Sequence, residues 1–100
     1  MPRQPEGRLS KKIRDYLEGR GAWVCKIQGD GDTYQEVGLP DLFVCYRGYF
    51  IGLEVKQPGG KPSPRQLLVL KRIRQAGGIA EIVESVDEVE RILAKLDRKR

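Results

Sequence analysis

The chain has no histidine, one methionine, one tryptophan and two cysteines among its 100 residues. Without an imidazole there can be no Ser-His or Cys-His catalytic pair, and no Cys₂His₂ or His₃ zinc site. Proton transfer near pH 7 is left to a carboxylate, a Lys, a Tyr, a thiol or a metal-bound water. Cys25 and Cys45 are too few for a disulfide scaffold, and their spacing fits neither CxxC nor a zinc ribbon. Both sit in apolar runs, so buried free thiols in a reducing, cytoplasmic compartment are expected. No apolar stretch approaches the roughly 18 residues that a membrane span needs. The polar, Pro-rich N-terminus is unlike a signal peptide.

What is present is charge and a strong alternation of elements. Lys and Arg number 19 against 14 acids, a net charge of +5. A small basic domain suits a polyanion, nucleic acid or an anionic membrane surface, although solubility alone is the plainer reading. The length fits one domain over 1–100 with one small core. Residues 1–7 read as a loose arm and 98–100 as a frayed basic tail.

From Arg8 to Arg20, Leu9, Ile13, Tyr16 and Leu17 form the stripe of an amphipathic helix, stopped by Gly19 and Gly21. Ala22 to Ile27 reads as a strand, and Gln28 to Gly38 as a long loop. Its run Gly29-Asp30-Gly31-Asp32 lacks the ligand spacing of a calcium loop. Asp41 to Tyr46 is nearly all apolar, as in a central strand; Tyr49 to Lys56 is the next. Ser63, Pro64 and Gln66 announce a helix with a capping box, continuing through Leu67, Leu70 and Ile73 to Gly77-Gly78. Ile79 to Val83 is a short strand. Ser85 with Glu88 opens a last helix carrying Val86, Val89, Ile92, Leu93 and Leu96. The order is α-β-β-β-α-β-α. A tight Arg47-Gly48 loop makes its strands antiparallel, and the strand reached through the second helix can be parallel to its neighbour.

If Arg47 and Gly48 alone form the loop, Tyr46 faces Tyr49 and, along the ladder, Asp41 faces Glu54. Their Cβ atoms then lie about 4.5–5.5 Å apart on one face of the sheet. Lys56 shares that face, and Gly52 is expected to leave it open. Like charges so placed repel. A shared proton, a nearby cationic side chain or a divalent cation can neutralise them. Lys56 offsets part of the charge, and Mg²⁺ or Mn²⁺, hard cations that take oxygen ligands, fit the rest. The alternative is an Asp at a strand start after Pro40 and an ordinary Glu-Lys surface pair.

Gly38-Leu39-Pro40-Asp41-Leu42, then Gly52-Leu53-Glu54-Val55-Lys56, then Gln66 on a following helix, resembles the PD-(D/E)xK nuclease superfamily. More closely, the chain looks like a stand-alone VRR-NUC domain. The similarity runs from Gly38 to about Val86 and includes Gln57-Pro58-Gly59-Gly60-Lys61 and Gln75-Ala76-Gly77-Gly78. The resemblance implies a restriction-endonuclease-like αβββαβ core, an α/β fold with a mixed sheet flanked by helices, here with an extra C-terminal helix. It implies that Asp41 and Glu54, with the backbone carbonyl of Val55, hold Mg²⁺ or Mn²⁺. Lys56 then positions or polarises the attacking water, and Gln66 supports the site. Glu6 is the nearest match to an acid that many relatives carry near the first helix.

From Gly59 to Gln75 there are five cations and no acid: Lys61, Arg65, Lys71, Arg72 and Arg74. Lys61 and Arg65 lie nearest the Lys56 end of the strand, at a Gly-rich loop and a helix N-terminus where backbone amides also contact phosphate. Lys11, Lys12 and Lys26 are further nucleic-acid candidates. Trp23, Tyr34 and Tyr49 have rings that could stack on bases, although packing in the core or at an interface is the expected role of Trp23.

The expectation is a metal-dependent endonuclease acting on DNA, with four-way (Holliday) junctions implied by the resemblance. Two matched cuts require a homodimer, because one chain has one site. No membrane and no small-molecule cofactor are expected. The alternatives are an accessory DNA-binding module with an inactive nuclease fold, and a basic α/β interaction protein whose acid pair is only structural.

Overall fold

In the computed structural model, residues 6–27 and 36–99 are described. The first helix (α1, Glu6–Gly19) begins two residues before the expected start at Arg8. It buries Ile13 and Leu17 from its apolar stripe. Gly21, at φ 89, reverses the chain into the first strand (β1, Trp23–Lys26). The second and third strands (β2, Leu42–Tyr46; β3, Tyr49–Val55) pair with Tyr46 opposite Tyr49 and Leu42 opposite Leu53. Arg47 at φ 52 and Gly48 at φ 88 both adopt the left-handed conformation that a tight hairpin loop of primed type demands. The register expected from the sequence is therefore the observed one.

The second helix (α2, Pro64–Gln75) starts at the expected N-cap, Ser63, with both halves of the capping box made. It leads into the fourth strand (β4, Ile79–Val83), which runs parallel to β3. The third helix (α3, Val86–Arg98) is capped by the Ser85 hydroxyl, which accepts from the Glu88 amide. The Glu88 carboxylate, however, accepts from Glu84 rather than from the cap residue, so this capping box is offset by one position. The sheet order is β1-β2-β3-β4. This is the α/β, restriction-endonuclease-like αβββαβ core with an added C-terminal helix.

Strand alternation divides the sheet into two faces. Leu42, Val44, Ile51, Leu53, Val55 and Val83 meet Ile13 and Leu17 of α1 and Val89, Leu93 and Leu96 of α3 in one apolar core. That layer is tied at its end by Asp97, which accepts from the Tyr46 hydroxyl at 2.7 Å and from Arg20 at 3.0 Å. Hydrogen bonding to Tyr16 raises the Arg20 guanidinium above its usual pKa, so this cation stays charged. Helix α2 lies on the opposite face and buries Val69 and Leu70. Leu67, expected in its apolar stripe, is exposed.

Two expectations about the α2 face are corrected. A side chain at Gly52 would meet Ile73 and Pro40, each at 3.1 Å, so this position is covered rather than open; its missing side chain admits α2 close to the sheet. The cysteines are free, but Cys25 is only half-buried and Cys45 is exposed. The apolar runs around them reflect a sheet apolar on both faces, and α2, which packs chiefly on β4, leaves Cys45 uncovered. Trp23, expected to pack in the core or at an interface, is 61% exposed and so is not a core residue.

Candidate active site

The site lies at the end of the hairpin away from the Arg47-Gly48 loop. Pro40 delivers Asp41 to the start of β2, and the Asp41 carbonyl accepts from the Ile27 amide at 2.8 Å. Asp41 stands one residue outside the β2–β3 ladder, which ends at Leu42 and Leu53. Instead of a strict ladder pair with Glu54, it makes a side-chain bond to the next residue. Its Oδ2 accepts from the Val55 amide at 2.8 Å. The carboxylate thus fastens the end of β3 on which Glu54 sits.

Glu54 is only 1% exposed. A carboxylate so deeply buried needs charged or hydrogen-bonding partners to remain ionised. Its Oε2 accepts from Gln66 Nε2 at 2.7 Å and lies 3.4 Å from the Lys56 ammonium. Lys56 reaches this oxygen because it is two positions along the strand and so on the same face. Its amide is anchored to the Val83 carbonyl at 3.0 Å. The turn that follows brings Gly60 back onto Gln57, its amide donating to the Gln57 carbonyl at 2.8 Å. A Cβ at Gly60 would press on that carbonyl at 3.1 Å and on the Lys56 stem at 3.5 Å.

Gln66 serves two structures with one amide. Its Oε1 accepts from the Ser63 amide at 2.8 Å, closing the capping box, while its Nε2 holds Glu54. The helix start and the carboxylate orientation are therefore the same piece of structure. The neighbouring Arg65 serves the other acid. Its Nε donates to the Val37 carbonyl at 3.2 Å and its Nη2 lies 3.8 Å from Glu36, on the segment leading into Pro40-Asp41. Gly38, at φ +87, passes against Arg65, where a Cβ would lie 2.6 Å from its Cγ and 3.0 Å from its carbonyl oxygen. This anchoring role is not apparent from the sequence; the glycine three residues before Asp41 is the only hint of a close approach.

The structure therefore brings Asp41, Glu54, Val55, Lys56 and Gln66 together. Lys61 is exposed in the following loop. Arg65 is engaged with 36–38. Lys11 and Lys12 lie on α1, in the layer across the sheet from the Glu54 side chain, and Lys11 pairs with Asp15 at 3.0 Å. Lys26 is exposed on the edge strand. The Glu6 side chain and Tyr34 lie outside the described residues. Tyr49 packs against the main core.

Among the described residues, no three His, Cys, Asp or Glu side chains gather into a metal-holding group. The donors gathered here are the carboxylate oxygens of Asp41 and Glu54, both hard. That set suits a hard divalent cation that keeps several waters, and it does not suit zinc, which favours nitrogen and sulfur.

Comparison with solved structures finds a VRR_NUC domain 33% identical in sequence, with a TM-score of 0.73, the match covering 89% of this chain and 94% of that one. A second structure, a VRR_NUC domain protein, has a TM-score of 0.75 at 14% identity, covers 95% of this chain and 89% of that one, and speaks for the fold alone. No family model and no curated protein matches the chain.

Proposed function

The chain belongs to the VRR-NUC domain family, and from that premise we propose that this nuclease-family domain is a metal-dependent deoxyribonuclease that hydrolyses phosphodiester bonds, with branched DNA as its substrate. The observation that carries this reading is the buried Glu54 carboxylate sharing one oxygen between Lys56 and Gln66, beside an Asp41 that grips the adjoining amide.

Asp41 and Glu54, with the Val55 carbonyl, would hold Mg²⁺ or Mn²⁺. Such an ion, when bound, lowers the pKa of its water and supplies a nucleophile at neutral pH, which a protein without histidine otherwise lacks. The remaining work belongs to the side chains. Gln66 keeps the Glu54 plane in one orientation. Lys56, a compact cation on a flexible stem, offers donors to a phosphate oxygen and stabilises negative charge as the bond from phosphorus to the leaving sugar oxygen breaks. The exposed Lys61 lies on the path a flanking phosphate takes past the end of β3. Paired incision of a symmetric four-way junction takes two sites, and hence a C₂ homodimer.

The test is a cleavage panel of single strands, duplex, flaps and four-way junctions with Mg²⁺, Mn²⁺ or EDTA. Metal-dependent cutting of branched substrates, lost in Asp41→Ala and Lys56→Ala, is expected. Cutting that survives either substitution overturns the mechanism. Salt-sensitive binding without cutting of any substrate would instead identify an accessory DNA-binding module.

A further inference from the structure

An antiparallel sheet with one face toward water alternates apolar and polar residues. Strands β1 and β2 do not. On the α2 side, the register aligns Trp23 with Cys45 and Phe50 in one row, and Cys25 with Phe43 and Gly52 in the next. These six positions hold no charge in a chain that is 33% charged. Helix α2 covers the Gly52 end only. Trp23 is left 61% exposed and Phe50 42% exposed, and Cys45 is exposed between them.

The same face also carries a receptor. Between α2 and the sheet is an open cavity of about 270 Å³, walled by Leu39, Phe43, Phe50, Val69, Ile73 and Ala76, with the charged Glu36 and Arg72 also lining it. Phe43 and Phe50 brace each other edge to face, with centroids 5.4 Å apart. An apolar cavity of about 150 Å³ holds benzene, so this one has room for a bicyclic indole, and Glu36 offers an acceptor to its N–H. Within its own chain Trp23 is 61% exposed and does not line this cavity. It stands two strands from Phe50, roughly 10 Å away across the sheet.

We propose that the occupant is Trp23 of a second copy of this chain. Knob and receptor lie on one face, Trp23 on β1 and the receptor over β2, β3 and α2, and a two-fold axis along the Cys45 strand carries each Trp23 over the Phe50 wall of the other copy's cavity. Such an interface is isologous, each residue of one copy repeating its contact in the other. The six sheet positions carry no charge, and the two charged residues lining the receptor, Glu36 and Arg72, are of opposite sign, so two chains of net charge +5 can approach at this face. Two reciprocal aromatic insertions, with the walls they cover, bury on the order of 600–1,000 Å². That is the low end for a specific interface, so the dimer is sensitive to dilution and dominated by one anchor. The patch lies four residues along β3 from Glu54, on the same face, so both copies keep their sites beside the interface. The inference supplies the surface for the dimer proposed above and does not depend on cleavage.

Because Trp23 is the only tryptophan, its emission reports the insertion directly. The wild-type chain is expected to show a mass approaching twice 11.4 kDa by light scattering as concentration rises, with a parallel shift of emission to shorter wavelength. Trp23→Ala, at an exposed position, should keep its far-ultraviolet circular dichroism and weaken the dimer at least about thirtyfold. A short bis-maleimide should join wild-type and Cys25→Ser chains but not Cys45→Ser chains. A dimer undiminished in Trp23→Ala, or cross-linking indifferent to Cys45, overturns this surface and leaves the dimer itself standing. A chain monomeric at every concentration overturns both.

Discussion

Replacing Gln66 with Ala removes two hydrogen bonds at once, one from a helix cap and one from a carboxylate that is 1% exposed. A loss of roughly 1–3 kcal/mol in urea unfolding is expected, more than an ordinary cap substitution gives. Gln66→Glu should be worse near neutral pH, because two carboxylates then meet where an amide donated. One of that pair binds a proton more readily in the folded than in the unfolded state. The folded variant then carries more protons, so its deficit relative to wild type should shrink as pH falls, and unfolding at several pH values checks the sign. Gly38→Ala forces a side chain onto a φ of +87 and into Arg65, and should cost about 1–3 kcal/mol. Adding Arg65→Ala should recover little of it, since the Arg65 backbone oxygen is also in the way. Denaturation of the two single variants and the double variant measures this.

At the scale of elements, the hairpin was the most legible part of the chain. Two apolar runs flanking Arg47-Gly48 left one register that buries Leu42, Val44, Ile51 and Leu53 together, and that register put Glu54 and Lys56 on the other face. The α2 capping box was equally plain, because Ser63, Pro64 and Gln66 are local signals. What could not be read is how the second face is covered. Its residues are apolar whether α2 lies over them or not, so Cys45 looked buried when it is open, and whether Trp23 packs in the core or at an interface could not be told. Asp41 sits just off the ladder for a related reason: its carboxylate takes up the Val55 amide, a partner remote in sequence. The loop itself carries a mismatch, since Arg47 holds a conformation that few side chains favour. Arg47→Asn should raise stability by about 0.5–1 kcal/mol, because Asn tolerates this conformation and Asp97 keeps its Arg20 partner. Thermal melts of the pair decide it.

Across the whole molecule, charge is sorted by segment. The stretch from Gly59 to Gln75 is wholly basic in its charged residues, while Glu81 to Glu90 holds five acids and no cation. If DNA lies past the end of β3, Lys61→Ala should lower the salt dependence of binding by about one unit of slope, and Lys12→Ala, on the layer behind the sheet, should leave it unchanged. Fluorescence anisotropy against salt concentration separates the two. The shared amide of Gln66 reaches furthest. Because one side chain closes the cap of α2 and also orients Glu54, ion binding and the fraying of the helix start are thermodynamically linked, and the linkage is reciprocal. A divalent ion held at Asp41 and Glu54 should slow amide hydrogen exchange in the first turn of α2, several residues from any ligand, while α3 exchanges as before. A variant with a looser cap should then bind the ion more weakly although every ligand is intact.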